Sequence, residues 1–222
     1  MKMTDAAGQQ RPSLEELRIV SLSTGMELQY RLMNLRAGGM KDADEFYAIV
    51  DAAIDSCVST MARYPKELQK QSEDQLSIFM IGRLEGIGLN ASHDSTVGGH
   101  CDIVIKEGVD LLWLGEAKLV TGKQNAHIED GYLQLFSRYA TCLPAQDKGG
   151  LLIFCNCERI DQVLESWIGH IAGKRENLEK LKHDLDKIEF LSREPHSNNG
   201  RQFFVRHKPI SVFWAPEERV KG

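Results

Sequence analysis

Residues 149–156, Gly-Gly-Leu-Leu-Ile-Phe-Cys-Asn, form a run that is apolar at every position between its glycines and its asparagine. A half-exposed strand alternates polar and apolar residues, because successive side chains point to opposite faces. A strand apolar on both faces must be covered on both, so the sheet that contains it needs one layer above and one below. This segment alone directs the chain toward a sheet enclosed by helices.

The rest of the sequence offers those layers. Ser13, with Glu16 three residues on, has the spacing of a capping box and opens an apolar period through Leu14, Leu17, Val20, Met26, Tyr30 and Met33, which Gly38-Gly39 stops. A second helix is expected from Asp42 to about Arg63, with Phe46, Ile49, Ala53, Ile54 and Val58 on one face. A third begins near Ser72 and carries Leu76, Phe79, Met80 and Leu84 before Gly86 and Gly88. The texture then changes to short β-like runs at residues 89–95, 100–106 and 110–120, the last two joined by a turn around Glu107-Gly108. Residues 125–142 return to helical spacing through Ile128, Leu133, Phe136 and Ala140. Beyond the apolar strand, Ile160 to about Lys187 reads as one helix, apolar first and then a charged, solvated face with i,i+4 pairs. Residues 202–214 read as two closing strands with Pro209 near the bend.

Composition sets the outer bounds. The 222 residues, 42% hydrophobic and 27% charged, suit one soluble domain. The formal charge of -5 argues against non-specific coating of nucleic acid, which phosphate neutralisation drives, but leaves room for a local basic groove. No stretch reaches the roughly 18 apolar residues of a membrane span, and the opening residues lack the apolar core of a secretory signal, so a cytoplasmic location is expected. Five cysteines with a single C-x-C spacing fit structural thiols better than a zinc site.

The residues that carry chemistry lie in the hairpin of residues 100–120. Glu116 and Lys118 share one face of their strand while Ala117 takes the other. If the loop is Gly108-Val109-Asp110, Asp102 falls directly opposite Glu116, roughly 5 Å away at Cβ; a slip of one residue would separate them. Two carboxylates and an ammonium on one patch suit a hard divalent cation, which relieves the like-charge repulsion. The plain alternative is a set of rim charges on an amphipathic hairpin. The neighbours weigh against it: Cys101, Ile103 and Ile105 on one face and Val104, Leu112 and Leu114 on the other are apolar, and charges among them need partners or a metal.

Gly-His-Cys-Asp-Ile-Val-Ile, then Leu-Leu-Trp-Leu-Gly-Glu-Ala-Lys-Leu, then a helix and the apolar strand, resembles the core of the PD-(D/E)xK nuclease superfamily over about residues 72–157. The resemblance implies an α/β fold with a restriction-endonuclease-like αβββαβ core, a mixed central sheet flanked by helices, an N-terminal helical extension over residues 1–70 and C-terminal strands closing a domain of residues 71–222. It also implies that Asp102, Glu116 and the main-chain carbonyl of Ala117 hold Mg2+, with Mn2+ as its substitute, and that Lys118 serves the attacking water. Relatives often add a Glu from the helix before the sheet, where Glu73 shares the inward phase of Leu76, Met80 and Leu84 and Asp74 is the fallback. They often add a Gln on the next helix, a place Gln134 fits. The accompanying Tyr is displaced, since Arg138 stands four residues on and Tyr139 one later, so Arg138 is instead a candidate phosphate contact, with Lys123 a second.

His93, His100 and His127 could be ligands, although lone histidines more often pack or face solvent; His127 is the best placed. Arg201, Arg206, His207 and Lys208 interleave with Phe203 and Phe204, either as a nucleic-acid surface or, preferably, as an edge strand with charges outward. The function expected is divalent-metal-dependent hydrolysis of phosphodiester bonds, in DNA, within repair, restriction or phage defence. The rivals are a catalytically silent binding or sensing subunit and an RNA-cutting effector. The N-terminal helices are expected to offer a homodimer or partner-protein surface, with no membrane involved.

Overall fold

The computed structural model describes residues 24–94 and 101–216. Ser13, Glu16 and His100 lie outside the described residues. Four helices come first: α1 (Thr24–Ala37), α2 (Ala43–Met61), the single turn α3 (Pro65–Leu68) and α4 (Glu73–Ile87). Three strands follow, β1 (Ala91–Asp94), β2 (Cys101–Glu107) and β3 (Leu111–Val120), then α5 (Asn125–Gln134) running into a π-helical turn (Leu135–Tyr139). The chain closes with β4 (Lys148–Cys155), α6 (Ile160–Lys174), β5 (Glu179–Asp184), β6 (Glu189–Pro195) and β7 (Gln202–Ser211). From α4 to β4 the order is helix, three strands, helix, strand, as read from the sequence.

The seven strands form one mixed sheet in the order β1-β2-β3-β4-β7-β6-β5. β1, β2 and β3 are antiparallel, β4 runs parallel to β3 and β7 parallel to β4, and β6 and β5 return antiparallel. β4 lies at the centre with seven of its eight residues buried, which is the environment its apolar run requires. One face is covered by α1, α2 and α4 through Leu28, Leu32, Phe46, Ile54, Leu76 and Met80, which pack with Ile103, Ile105, Trp113, Ala117, Leu152 and Phe154. The other is covered by α5 and α6 through Ile128, Tyr132, Trp167 and Ile171, which pack with Val104, Leu114, Leu151, Ile153, Phe203 and Val205. The expected boundary at residue 70 falls inside the first core, since helices on both sides of it bury their apolar faces against the same strands. No helix among the described residues is long and apolar enough to cross a membrane.

The glycines of β3 and β4 have a steric cause. A Cβ on Gly115 would lie 2.6 Å from Trp113 Cζ3, and one on Gly150, its neighbour across the ladder, 2.5 Å from Trp113 Cζ2. The indole therefore lies flat along the sheet, a placement only two bare backbones permit.

Five expectations change. Residues 179–184 form a strand paired with β6, and the expected long helix stops at Lys174. Leu178, Leu181 and Leu185 have helical spacing, but Leu181 is 40% and Leu185 70% exposed, so no core selects the helix and sheet pairing prevails. β7 is one continuous strand through Pro209. The ladder to β6 ends at His207, so the missing N–H of Pro209 breaks no bond on that side. β7 is also an inner strand, which removes both readings offered for its basic residues. Arg206 and Lys208 are buried against Glu189 and Asp55, and His207 is fully buried, accepting from Trp167 Nε1 at 3.0 Å and facing Ser192 Oγ at 2.8 Å. Finally, the helix expected to reach Cys142 ends at Tyr139. Its last turn widens, and the following loop is tied to the sheet through Leu112 N–H donating to Ala145 O at 3.2 Å. At the start of β2, Cys101 packs with Val104 and Leu114 instead of Ile103 and Ile105, beside the register shift between Ser92 and Asp94.

Candidate functional site

The hairpin uses the loop read from its sequence. Ile103 pairs with Gly115, Val104 with Leu114, and so on to Glu107 with Leu111, which makes Asp102 and Glu116 the next positions along the two strands. Asp102 Oδ2 accepts from Ala117 N–H at 2.8 Å, and Lys118 Nζ donates to Glu116 Oε1 at 2.7 Å. The three side chains thus lie at one end of the hairpin, where their charges act on one another.

Glu73 joins them from across the sheet end. Ser72 caps α4 in a reciprocal box with Gln75, Oγ accepting from Gln75 N–H at 3.3 Å and Gln75 Oε1 from Ser72 N–H at 2.9 Å. The box fixes Glu73 in the first turn, where the helix dipole favours a carboxylate. From there Glu73 Oε2 accepts from Leu119 N–H at 2.5 Å, and Oε1 lies 3.6 Å from Lys118 Nζ. Asp74, the fallback, is exposed.

α5 lies over the same patch. A Cβ on Gly131 would come within 2.7 Å of Lys118 Cγ, so the helix backbone rests on the lysine stem. His127 and Gln134 flank Gly131 at helical spacing on that face. His127 Nε2 is 3.6 Å from Glu73 Oε2, and Gln134 Oε1 is buried without a hydrogen-bond partner. Sequence reasoning missed Gly131, although a glycine in mid-helix four residues after His127 was a usable sign of close approach. Lys123 and Arg138 are exposed, and neither is hydrogen-bonded or ion-paired to the acids. The side chain of Tyr139 lies outside the described residues.

The electrostatics are unbalanced. Glu116 is only 3% exposed, and its Oε2 has no hydrogen-bond partner. Burial, and then the nearby charge of Asp102, push its carboxyl from 4.5 up to about 7, against the opposing pull of Lys118. Asp102 is also raised, by burial first, despite its bond from Ala117 N–H. Lys118 moves the other way from what burial dictates: desolvation lowers it, but Glu116, Glu73 and Asp102 together hold it above its ordinary value. Thus both members of the Lys118–Glu116 pair are raised. The causes differ: Glu116 is raised by burial first and by the charge of Asp102 second, whereas Lys118 is raised by its carboxylate neighbours against its burial.

Lys118 thus lies against Glu116 and Glu73 and within the field of Asp102, a set of hard oxygens with an excess of negative charge. Hard oxygen donors of this kind are the type that Mg2+ or Mn2+ takes, and Glu116 Oε2 is a buried oxygen without a hydrogen-bond partner. Among the described residues no three His, Cys, Asp or Glu side chains already stand in a metal-holding arrangement, since the acids are turned to Lys118 and to the β3 backbone. No family model, no curated protein and no solved structure matches this chain.

Proposed function

We propose that the chain is a divalent-metal-dependent nuclease that hydrolyses phosphodiester bonds, with DNA as its substrate. The observation that carries this reading is Glu116: a buried carboxyl with one oxygen unpartnered, beside Asp102 and within the field of Glu73, with Lys118 the cation that answers them. Mg2+ or Mn2+ held by Asp102 and Glu116, with Glu73 and the Ala117 carbonyl as further donors, would supply a Lewis acid that acidifies water and neutralises phosphate charge.

The chain's own residues have separable tasks. Lys118 is held as an ammonium by its acidic neighbours, so it serves as a hydrogen-bond donor and a positive charge toward a phosphate oxygen, not as a resting base. Glu116 positions that ammonium through the 2.7 Å bond. Gly131 lets α5 close over the lysine stem and limits water around it. The choice of DNA comes from the superfamily resemblance, and the net charge of -5 favours a selective task over bulk degradation.

Incubating the protein with DNA and RNA in linear, circular and single-stranded forms, in Mg2+ or Mn2+, tests the reading. Metal-dependent cutting is expected, preferentially of DNA, and reduced at least 100-fold in both Lys118→Ala and Asp102→Asn. Cutting that persists in both variants, or that needs no metal, rejects it. Metal binding without cutting by the wild type would instead assign the chain to the silent binding subunit.

A further inference from the structure

We propose that Cys157 and Cys155 form a redox-modification site, where a hydroperoxide oxidises Cys157 and Cys155 closes the product to an intrachain disulfide. The pair takes no part in the proposed hydrolysis. β4 ends at Cys155, and the chain bends at Cys157 on its way into α6. The two thiols hydrogen-bond to each other across that bend, and the Arg159 N–H, at the foot of α6, donates to the Cys157 sulfur. Cys157 also lines an open cleft of about 430 Å3 beyond the carboxyl ends of β3, β4 and β7, beside Lys123, Asn156 and Phe213. The other four cysteines are buried. Cys157 is therefore the thiol that a solute can reach, and it already touches a second sulfur.

The bond from Cys155 is the main influence on Cys157 and, with the Arg159 N–H, outweighs its partial burial, bringing it from 9.0 down to about 7. Burial instead pushes Cys57 and Cys101 up to about 12. The thiolate is the form that attacks peroxide, so Cys157 is the reactive thiol. Its sulfur takes one oxygen from the hydroperoxide: an S–O bond forms, the O–O bond breaks, and the alcohol or water leaves with the Cys157 proton. Cys155 then attacks the sulfenic sulfur, forming S–S and releasing the oxygen as water with the Cys155 proton. Residues two apart stand no more than about 7 Å from Cα to Cα, and a bend brings them within the reach of a disulfide. The competing account is a pair of packing thiols, with the Cys155 proton resting on Ile153 O at 3.3 Å. It predicts no preferred site of oxidation and no bridge.

Brief treatment of the whole folded protein with hydrogen peroxide, followed by thiol counting in denaturant and peptide mass spectrometry, distinguishes the two. The wild type should lose two of its five thiols, the peptide holding both residues should be lighter by two hydrogens, and dithiothreitol should restore it. Cys157 should react roughly tenfold or more faster than any of the buried cysteines. Cys155→Ser should stop at a Cys157 sulfenic acid that dimedone labels, and Cys157→Ser should leave Cys155 reduced. Oxidation spread over several cysteines, a bridge between separate protein molecules, or a wild-type Cys157 that ends as a sulfinic acid overturns the inference. So does a wild type that keeps all its thiols. The wild-type readings decide the outcome even if a variant fails to fold.

Discussion

Glu116 is the residue whose surroundings most oppose its charge. A carboxyl raised from 4.5 to about 7 stabilises the fold while protonated; that contribution is complete below about 4.5 and is lost as pH rises through 7. The wild type should therefore lose on the order of 2–3 kcal/mol between pH 5 and pH 8 that Glu116→Gln does not lose. Urea unfolding of both proteins at the two pH values measures the difference, and parallel profiles would show that Glu116 titrates normally. At pH 8, Mn2+ should raise the melting temperature of the wild type and leave that of Glu116→Gln nearly unchanged, because the ion supplies the charge that the buried carboxylate lacks. Lys118 and Asp102 were legible as candidates from alternation and loop length alone. The unpartnered oxygen of Glu116 was not, because it depends on what α4 and α5 bring against the hairpin.

Two elements set how closely the layers approach. Gly131 lets α5 rest on the Lys118 stem; a methyl group there would meet Lys118 Cγ at 2.7 Å and Leu151 Cδ1 at 3.2 Å. In Gly131→Ala the better helix propensity, worth about 1 kcal/mol, opposes an overpacking cost of about 1–3 kcal/mol. Stability should thus change little while cleavage falls at least tenfold as Lys118 is displaced, and unchanged turnover would show that the lysine tolerates the shift. Gly150→Ala has no such offset, since the added carbon meets the rigid Trp113 ring at 2.5 Å. It should destabilise by about 2 kcal/mol or more, read as a lowered urea midpoint together with altered Trp fluorescence. β5 teaches the converse lesson. Leu178, Leu181 and Leu185, in and beside it, have helical spacing, yet periodicity selects a helix only where a core receives the apolar stripe, and Leu181 and Leu185 face water.

Across the whole molecule, the sheet is enclosed on one face by helices from the first half of the chain and on the other by α5 and α6. The acids and Lys118 sit where α4 and α5, from opposite layers, meet the end of β3. A chain beginning at residue 71 would expose Ile103, Ile105, Trp113 and Phe154, which α1 and α2 help to bury. It should lose cooperative unfolding and bind a hydrophobic dye, observable by near-ultraviolet circular dichroism and dye fluorescence. A sharp two-state transition in that fragment would restore residue 70 as a domain boundary.

Local patterns determined most of the elements from the sequence: the apolar β4, the hairpin register that sets Asp102 beside Glu116, the start of α4 near Ser72 and the three long helices before the sheet. Each follows from short-range rules of alternation, helical period and turn chemistry. Tertiary structure alone decided the β5–β6 hairpin, the inner position of β7, the burial of Arg206 and His207, and the meeting of His127 with Glu73. Those outcomes depend on which surfaces pair after the layers assemble, and contacts between residues dozens of positions apart leave no periodicity in a single sequence to read.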